Sequence, residues 1–193
     1  MKKLITLLFV TLVSLSAFSQ TKWNLDKSHS SIKFSVVHMM ISDVEGKFDE
    51  FEGSVTSTAE DFDGAEVNFT AKTASINTDN ERRDGHLQSD DFFNAEQYPE
   101  IKFAGKIQKE GSQHFLVGDF TMRDVTKPVK FEVKYNGTIP GRRGRKVGFK
   151  VTGTIKRFDY NLKWDNAMDN GNLVVSDEVE ITCNIELNEE VAG

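Results

Sequence analysis

Apolar side chains in this chain recur at every second residue, and that periodicity restricts the fold more than any other feature of the sequence. Ile32, Phe34 and Val36 alternate with Ser31, Lys33 and Ser35, and Val67, Phe69 and Ala71 alternate with Glu66, Asn68 and Thr70. Val129, Phe131, Val133 and Tyr135 alternate with Lys130, Glu132 and Lys134. The same rhythm runs through Ile101, Phe103 and Gly105, through Val147, Phe149, Val151 and Gly153, and along 179–187. A strand turns successive side chains to opposite faces, so each run has one dry face and one wet face. Between the runs stand turn signals: Asp63-Gly64, Glu110-Gly111, Asn136-Gly137, the stretch 141–144 and Asn170-Gly171. Roughly eight or nine short strands at regular spacing predict one all-β antiparallel barrel or sandwich.

The rhythm fails in two places. Phe48 and Phe51 lie three apart around Asp49 and Glu50, which predicts a bulge or bend. The stretch 80–94, with Arg82, Arg83, His86, Leu87, Phe92 and Phe93, does not alternate at all. Asp79 or Asn80 can cap a short helix over 81–89, and Tyr98-Pro99 marks the exit from this insertion.

The first residues bear on the compartment. Lys2 and Lys3 precede an apolar run over 4–13, and Ala17 and Ser19 place small residues before a cut at Gln20. This is the pattern of a secretory signal peptide over 1–19, leaving a domain of 20–193 that is periplasmic or secreted. The whole chain carries a net charge of −6, and loss of the two leader lysines takes it to −8. Such an acidic chain is a poor partner for nucleic acid and suits a soluble carrier, monomer or homodimer, with at most transient membrane contact. The single cysteine, Cys183, cannot form an internal disulfide and reads as a small buried apolar side chain.

Whether the barrel is filled or hollow is open from the pattern alone. Phe34, Phe48, Phe69, Phe103, Phe131 and Phe149 share the inward phase with the small residues Ala71, Gly105 and Gly153. Rings of that number can meet and close a small barrel, or leave room for one ligand.

The order of motifs resembles a known family. Trp23-x-Leu25-Asp26-x-x-His29-Ser30-x-Ile32-x-Phe34, His38, and Val44-x-Gly46-x-Phe48 are similar to the N-terminal signature of YceI-like proteins. So are Ile76-x-Thr78, Arg83-Asp84-x-His86-Leu87-x-Ser89-x-Asp91-Phe92-Phe93, and Tyr98-Pro99-x-Ile101-x-Phe103. Gly118-x-Phe120-Thr121-Met122, Thr126-Lys127-Pro128-Val129 and Arg157-Phe158-Asp159-Tyr160 continue the likeness, with Asn161 where the family usually has Gly. The resemblance implies a lipocalin-like extended barrel that is hollow and binds a polyisoprenoid. It therefore implies an apolar ligand site formed by Phe34, Val36, Phe48, Phe69, Leu87, Phe92, Phe93, Phe103, Phe131 and Phe149, with Arg83 and His86 at its rim.

Other constellations in the sequence have plainer readings. His29, His38, His86 and His114 lack the helical spacing of a zinc protease, so structural roles are expected and no metal or cofactor is called for. Ser30, His86 and Asp91 offer the residue types of a hydrolytic triad without a Gly-x-Ser-x-Gly elbow, which argues against an enzyme. Arg83 has Asp79 and Asp84 as nearby partners if it is merely a surface residue. Arg142, Arg143, Arg145 and Lys146 form a basic hairpin tip, read as a solvated turn with docking to anionic lipid as the alternative. The functional expectation is an exported carrier of a long-chain isoprenoid, polyprenyl or prenyl-quinone-like. The competing one is a structural or stress-protective barrel with a filled core.

Overall fold

A computed structural model describes residues 20–169, 171 and 173–191. The expected leader, and Asn170 of one expected turn, lie outside the described residues. The alternating runs form strands throughout: β1 (Thr21–Leu25), β2 (Ser31–His38), β3 (Ser42–Phe48), β4 (Phe51–Ser57), β5 (Glu66–Lys72), β6 (Ile76–Asn77), β7 (Glu100–Glu110), β8 (Gln113–Met122), β9 (Val125–Pro140), β10 (Arg145–Lys156) and β11 (Val175–Glu189). One α-helix, α1 (Glu81–Gln88), interrupts them. Every pairing between strands is antiparallel, and the ring β1-β4-β5-β7-β8-β9-β10-β11 closes through β11 and β1 into an eight-stranded barrel.

There are more segments than staves because three staves are kinked. β11 pairs with β1 at Leu187–Leu25 and with β2 from Asn184–Ser31 onward, so β1 and β2 are two halves of one bent stave. Likewise β3 and β4 break only at Asp49 and Glu50, where the sequence loses its alternation. The ladder bridges the break: Asp49 N–H donates to Ser75 O at 3.0 Å and Lys72 N–H to Glu50 O at 2.8 Å. Asn136-Gly137 makes no turn. β9 runs straight through it, and Gly137 (φ 114°) absorbs a register shift opposite Gly148 and Phe149.

The helix starts where the sequence places it. The Asn80 side-chain oxygen accepts the Arg83 N–H at 3.1 Å, satisfying one of the helix's free donors. Asn161 adopts the left-handed conformation (φ 62°, ψ 20°), which asparagine tolerates better than most residues.

Two apolar clusters fill the interior unequally. The smaller one sits at one end and contains Trp23, Val55, Phe62, Ala65, Ile107, Val133, Val147, Phe149 and Leu187, all buried. Phe62 comes from a connection between β4 and β5, folds across the barrel end and is 1% exposed. It meets Phe149 edge-on at 5.1 Å and Trp23 at 5.3 Å. This cluster closes the floor. The larger cluster lines the walls above it.

Candidate functional site

Above the floor the barrel is hollow. A cavity of about 430 Å³ occupies its centre, within the size of ligand pockets generally, about 300–1,000 Å³. Inward residues such as Phe34, Val36, Val67, Phe69, Leu116, Val151, Val179, Ile181 and Ile185 are only half-buried although they point away from bulk solvent. In a packed barrel these positions would be fully buried. Their partial exposure is the signature of a lumen, so a filled core does not describe this barrel.

Register explains how so many rings leave a space. Phe34 lies directly opposite Gly46, and a Cβ on Gly46 would overlap the Phe34 ring. Phe131 lies over Gly153 in the same way, and Phe103 over Gly105 and Gly118. Each ring thus lies down on bare backbone along the wall instead of standing into the lumen. The glycines are what keep the cavity open.

All ten apolar residues singled out from the sequence line this cavity: Phe34, Val36, Phe48, Phe69, Leu87, Phe92, Phe93, Phe103, Phe131 and Phe149. Phe149 belongs to its floor. Arg83 and His86 line it too, at the opposite end, where α1 and the connection after it border the mouth. Arg83 does not pair with Asp79 or Asp84. Its Nε donates to Thr78 Oγ1 at 2.8 Å and its Nη2 to Thr78 O at 2.7 Å, and no carboxylate reaches it among the described residues. Asp84 instead accepts from the Thr78 N–H at 2.9 Å.

His86 stands edge-on to Phe92 at 5.1 Å and to Trp164 at 5.7 Å, while its Nε2 lies 3.0 Å from Asp91 Oδ2. Ser30, the remaining member of the would-be triad, is engaged with β11 instead: its Oγ donates to Glu186 O and accepts the Glu186 N–H. The three do not form a nucleophilic unit.

Two residues that the sequence left unassigned hold the mouth together. Arg157 is 2% exposed yet has no carboxylate partner among the described residues. It donates to four carbonyls, those of Ser176, Leu162, Trp164 and Val175, at 2.7–2.9 Å. Burial pulls its pKa down from the ordinary value. Arg123 donates to Phe92 O at 2.7 Å and Asn161 O at 2.8 Å. Trp164, positioned by Arg157, also lines the cavity. No spacing rule marks these residues, because their partners are main-chain atoms.

The remaining candidates fall elsewhere. His29 and His38 do not meet, since all of β2 separates them. His29 faces Asp26 (3.1 Å) and Glu186, but Lys146 already neutralises both carboxylates at 3.2 and 2.6 Å, so that cluster is an ion-pair network. His38 lines the cavity, and His114 lies 3.0 Å from Asp61 O under the floor. Cys183 is not sealed in the core. It is half-buried and faces the cavity, where desolvation pushes its thiol up to about 12.

Comparison with known proteins places this geometry. Residues 23–187 match a family described as the YceI-like domain. The UPF0312 protein SAS2572 of Staphylococcus aureus is 34% identical over 168 residues, covering 86% of this chain and 96% of that one. The Campylobacter jejuni YCEI protein has the same fold (TM-score 0.66) at 30% identity, covering 86% of this chain and 97% of its own. A polyisoprenoid-binding domain from Saccharophagus degradans, implicated in plant cell wall breakdown, superimposes with a TM-score of 0.61 over 87% of this chain and 98% of its own. At 16% identity that likeness concerns the fold.

Proposed function

This chain belongs to the family of YceI-like domains, and on that premise we propose that it carries or stores a long-chain isoprenoid, polyprenyl or prenyl-quinone-like, in its barrel. The observation that carries this reading is the deep cavity, closed at the floor, walled by Phe, Val and Ile and bordered at the mouth by Arg83 and His86. A wall of this kind recognises apolar area without direction. Burying a methylene is worth about 0.8 kcal/mol, so each buried isoprene unit contributes up to about 3–4 kcal/mol. A few units offset an association cost of about 4–15 kcal/mol. The rim contributes less, since a polar head there exchanges water contacts for protein contacts at a net gain of about 1 kcal/mol. The polyisoprenoid-binding relative, sharing this fold, supports the same choice of ligand.

Among the described residues Ser30 is engaged with β11 and not with His86 or Asp91, and we read the protein as a carrier and not an enzyme. The charged n-region and apolar run of the first 19 residues support export. Titration with prenyl alcohols and prenyl diphosphates of increasing length tests the carrier reading. Affinity should rise stepwise with length and then level off. Affinity flat with length but differing by orders of magnitude between alcohol and diphosphate would overturn it. Native mass spectrometry of protein from its own host should show a co-purifying apolar mass, and a chain beginning at Gln20.

A further inference from the structure

Among the described residues the large apolar side chains left in water are few, and most share one place. Val37, Met39, Met40 and Ile41 are 39%, 42%, 64% and 85% exposed, and all lie at the tip of the hairpin joining β2 to β3. Met39 and Met40 have positive φ (50° and 64°), positions where a tight hairpin ordinarily uses Asn or Gly. The turn therefore carries two long apolar side chains where backbone strain and exposure both oppose them.

This tip borders the mouth. The Met39 N–H donates to Val174 O at 2.8 Å, and Val174 lines the cavity, as do Val36, His38 and Val44 from the same hairpin. The apolar surface is thus continuous from the tip into the lumen. Its charge is equally specific: 34–46 contains Asp43 and Glu45 and no Lys or Arg. The basic hairpin with Arg142 and Arg143 lies at the other end of β11, a strand length of roughly 45 Å away, and there Arg145 and Lys146 are tied to Glu60, Glu189, Asp26 and Glu186.

We propose that the Met39-Met40-Ile41 tip inserts into the interfacial region of a lipid bilayer, setting the mouth of the barrel against the membrane so that an apolar ligand passes between the two without crossing water. The proposal rests on the carrier reading for the nature of the cargo. The occupant is a bilayer of net-neutral headgroups, because the tip offers aliphatic area and no cation. Methionine suits it, being flexible enough to pack among disordered chains. Such binding scales with buried apolar area and lacks the electrostatic part that polybasic segments use.

The test is flotation of the mature protein with phosphatidylcholine vesicles, with and without anionic lipid. The protein should float with neutral vesicles, equally well in low and high salt, and gain nothing from anionic lipid. M40D and I41D should each lower the partition coefficient at least about tenfold. I139D, at another exposed apolar position beside the basic hairpin, should leave it unchanged. In solution without vesicles, both tip variants should bind a short water-soluble prenyl alcohol as the wild type does, while ligand transfer from vesicles slows. Wild-type protein that binds the alcohol but does not float overturns the docking and leaves the carrier reading intact. Flotation without alcohol binding overturns the carrier reading and leaves the docking intact. Flotation only with anionic vesicles, lost in salt, overturns the proposal in favour of Arg142 and Arg143. Tip variants that alter only the oligomeric state overturn it in favour of contact between copies of the chain.

Discussion

At the floor of the barrel, Phe62 meets Phe149 at 5.1 Å and Trp23 at 5.3 Å. At the mouth, His86, Phe92 and Trp164 stand 5.1–5.7 Å apart. The ring contacts are nearly the same, and the backing differs. Trp23 and Phe149 stand on β1 and β10, Phe62 from the β4–β5 connection packs between them, and all three are almost fully buried. The mouth rings come from a helix and two connections, held to the barrel by Arg157 and Arg123 gripping main-chain carbonyls. Rings borne mainly by strands close one end of this barrel, and rings borne by a helix and loops border the other. The floor should open only with global unfolding, while the mouth opens at lower free energy.

Replacing a ring at each end puts that difference to the test. Phe62→Ala should cost about 3–5 kcal/mol in denaturant unfolding, because the strands around the gap cannot collapse into it. Phe92→Ala should cost about half as much or less, since its loop can settle inward. Equal costs would break the comparison. Between the two ends lies the wall. Gly153→Ala should swing the Phe131 ring into the lumen at a stability cost of about 1–3 kcal/mol. Prenyl affinity should fall by more than that loss of stability explains, as calorimetric titration of the folded variant would show.

Arg157→Lys should sharpen the contrast further. Lysine cannot span four carbonyls, so the amides of Met39 and Val174 should exchange hydrogen about tenfold faster while those of the floor strands are unchanged. An equal rise at the floor would mean that the two ends are one cooperative unit. The smallest effect concerns pH. Hydrogen bonds from Ser28 and His29, and then from Lys146 and Asn188, hold the Asp26 carboxyl well below the usual carboxylate range. A depressed folded pKa stabilises the fold above the unfolded value, about 3.9, and that contribution fades as pH falls through the folded pKa. Stability should therefore decline below about pH 4, and Asp26→Asn should flatten the decline. Urea midpoints at neutral and acid pH would show it.

The cavity wall was legible in the sequence because period two reports which way a side chain points. Phe34, Phe69, Phe103 and Phe131 needed no structure to be placed inward. That they lie flat was not legible. It depends on register: Gly46 opposes Phe34 across a ladder that sequence spacing does not define. Phe62 sits beside the Asp63-Gly64 turn, and its place under the barrel follows from how the connection folds back, not from any period. Arg157 was legible only as a motif residue without a role, and Arg123 not at all, because main-chain carbonyls leave no trace in residue type. Met39 and Met40 carry no Gly, Asn or Pro turn signal, so neither their turn nor their position beside the mouth was legible.

The barrel closes by joining its first stave to its last. Asp26 and Asn188, 162 residues apart, come within 3.3 Å at that seam. Loops of such length close slowly, and topologies ruled by distant contacts fold in about milliseconds to seconds where local ones take microseconds. As the chain is synthesised, Leu187, a fully buried part of the floor, arrives only after the other seven staves. Until then β1 is an unpaired edge and the lumen is an open apolar trough. The interval between synthesis and closure is when this protein is most exposed to aggregation.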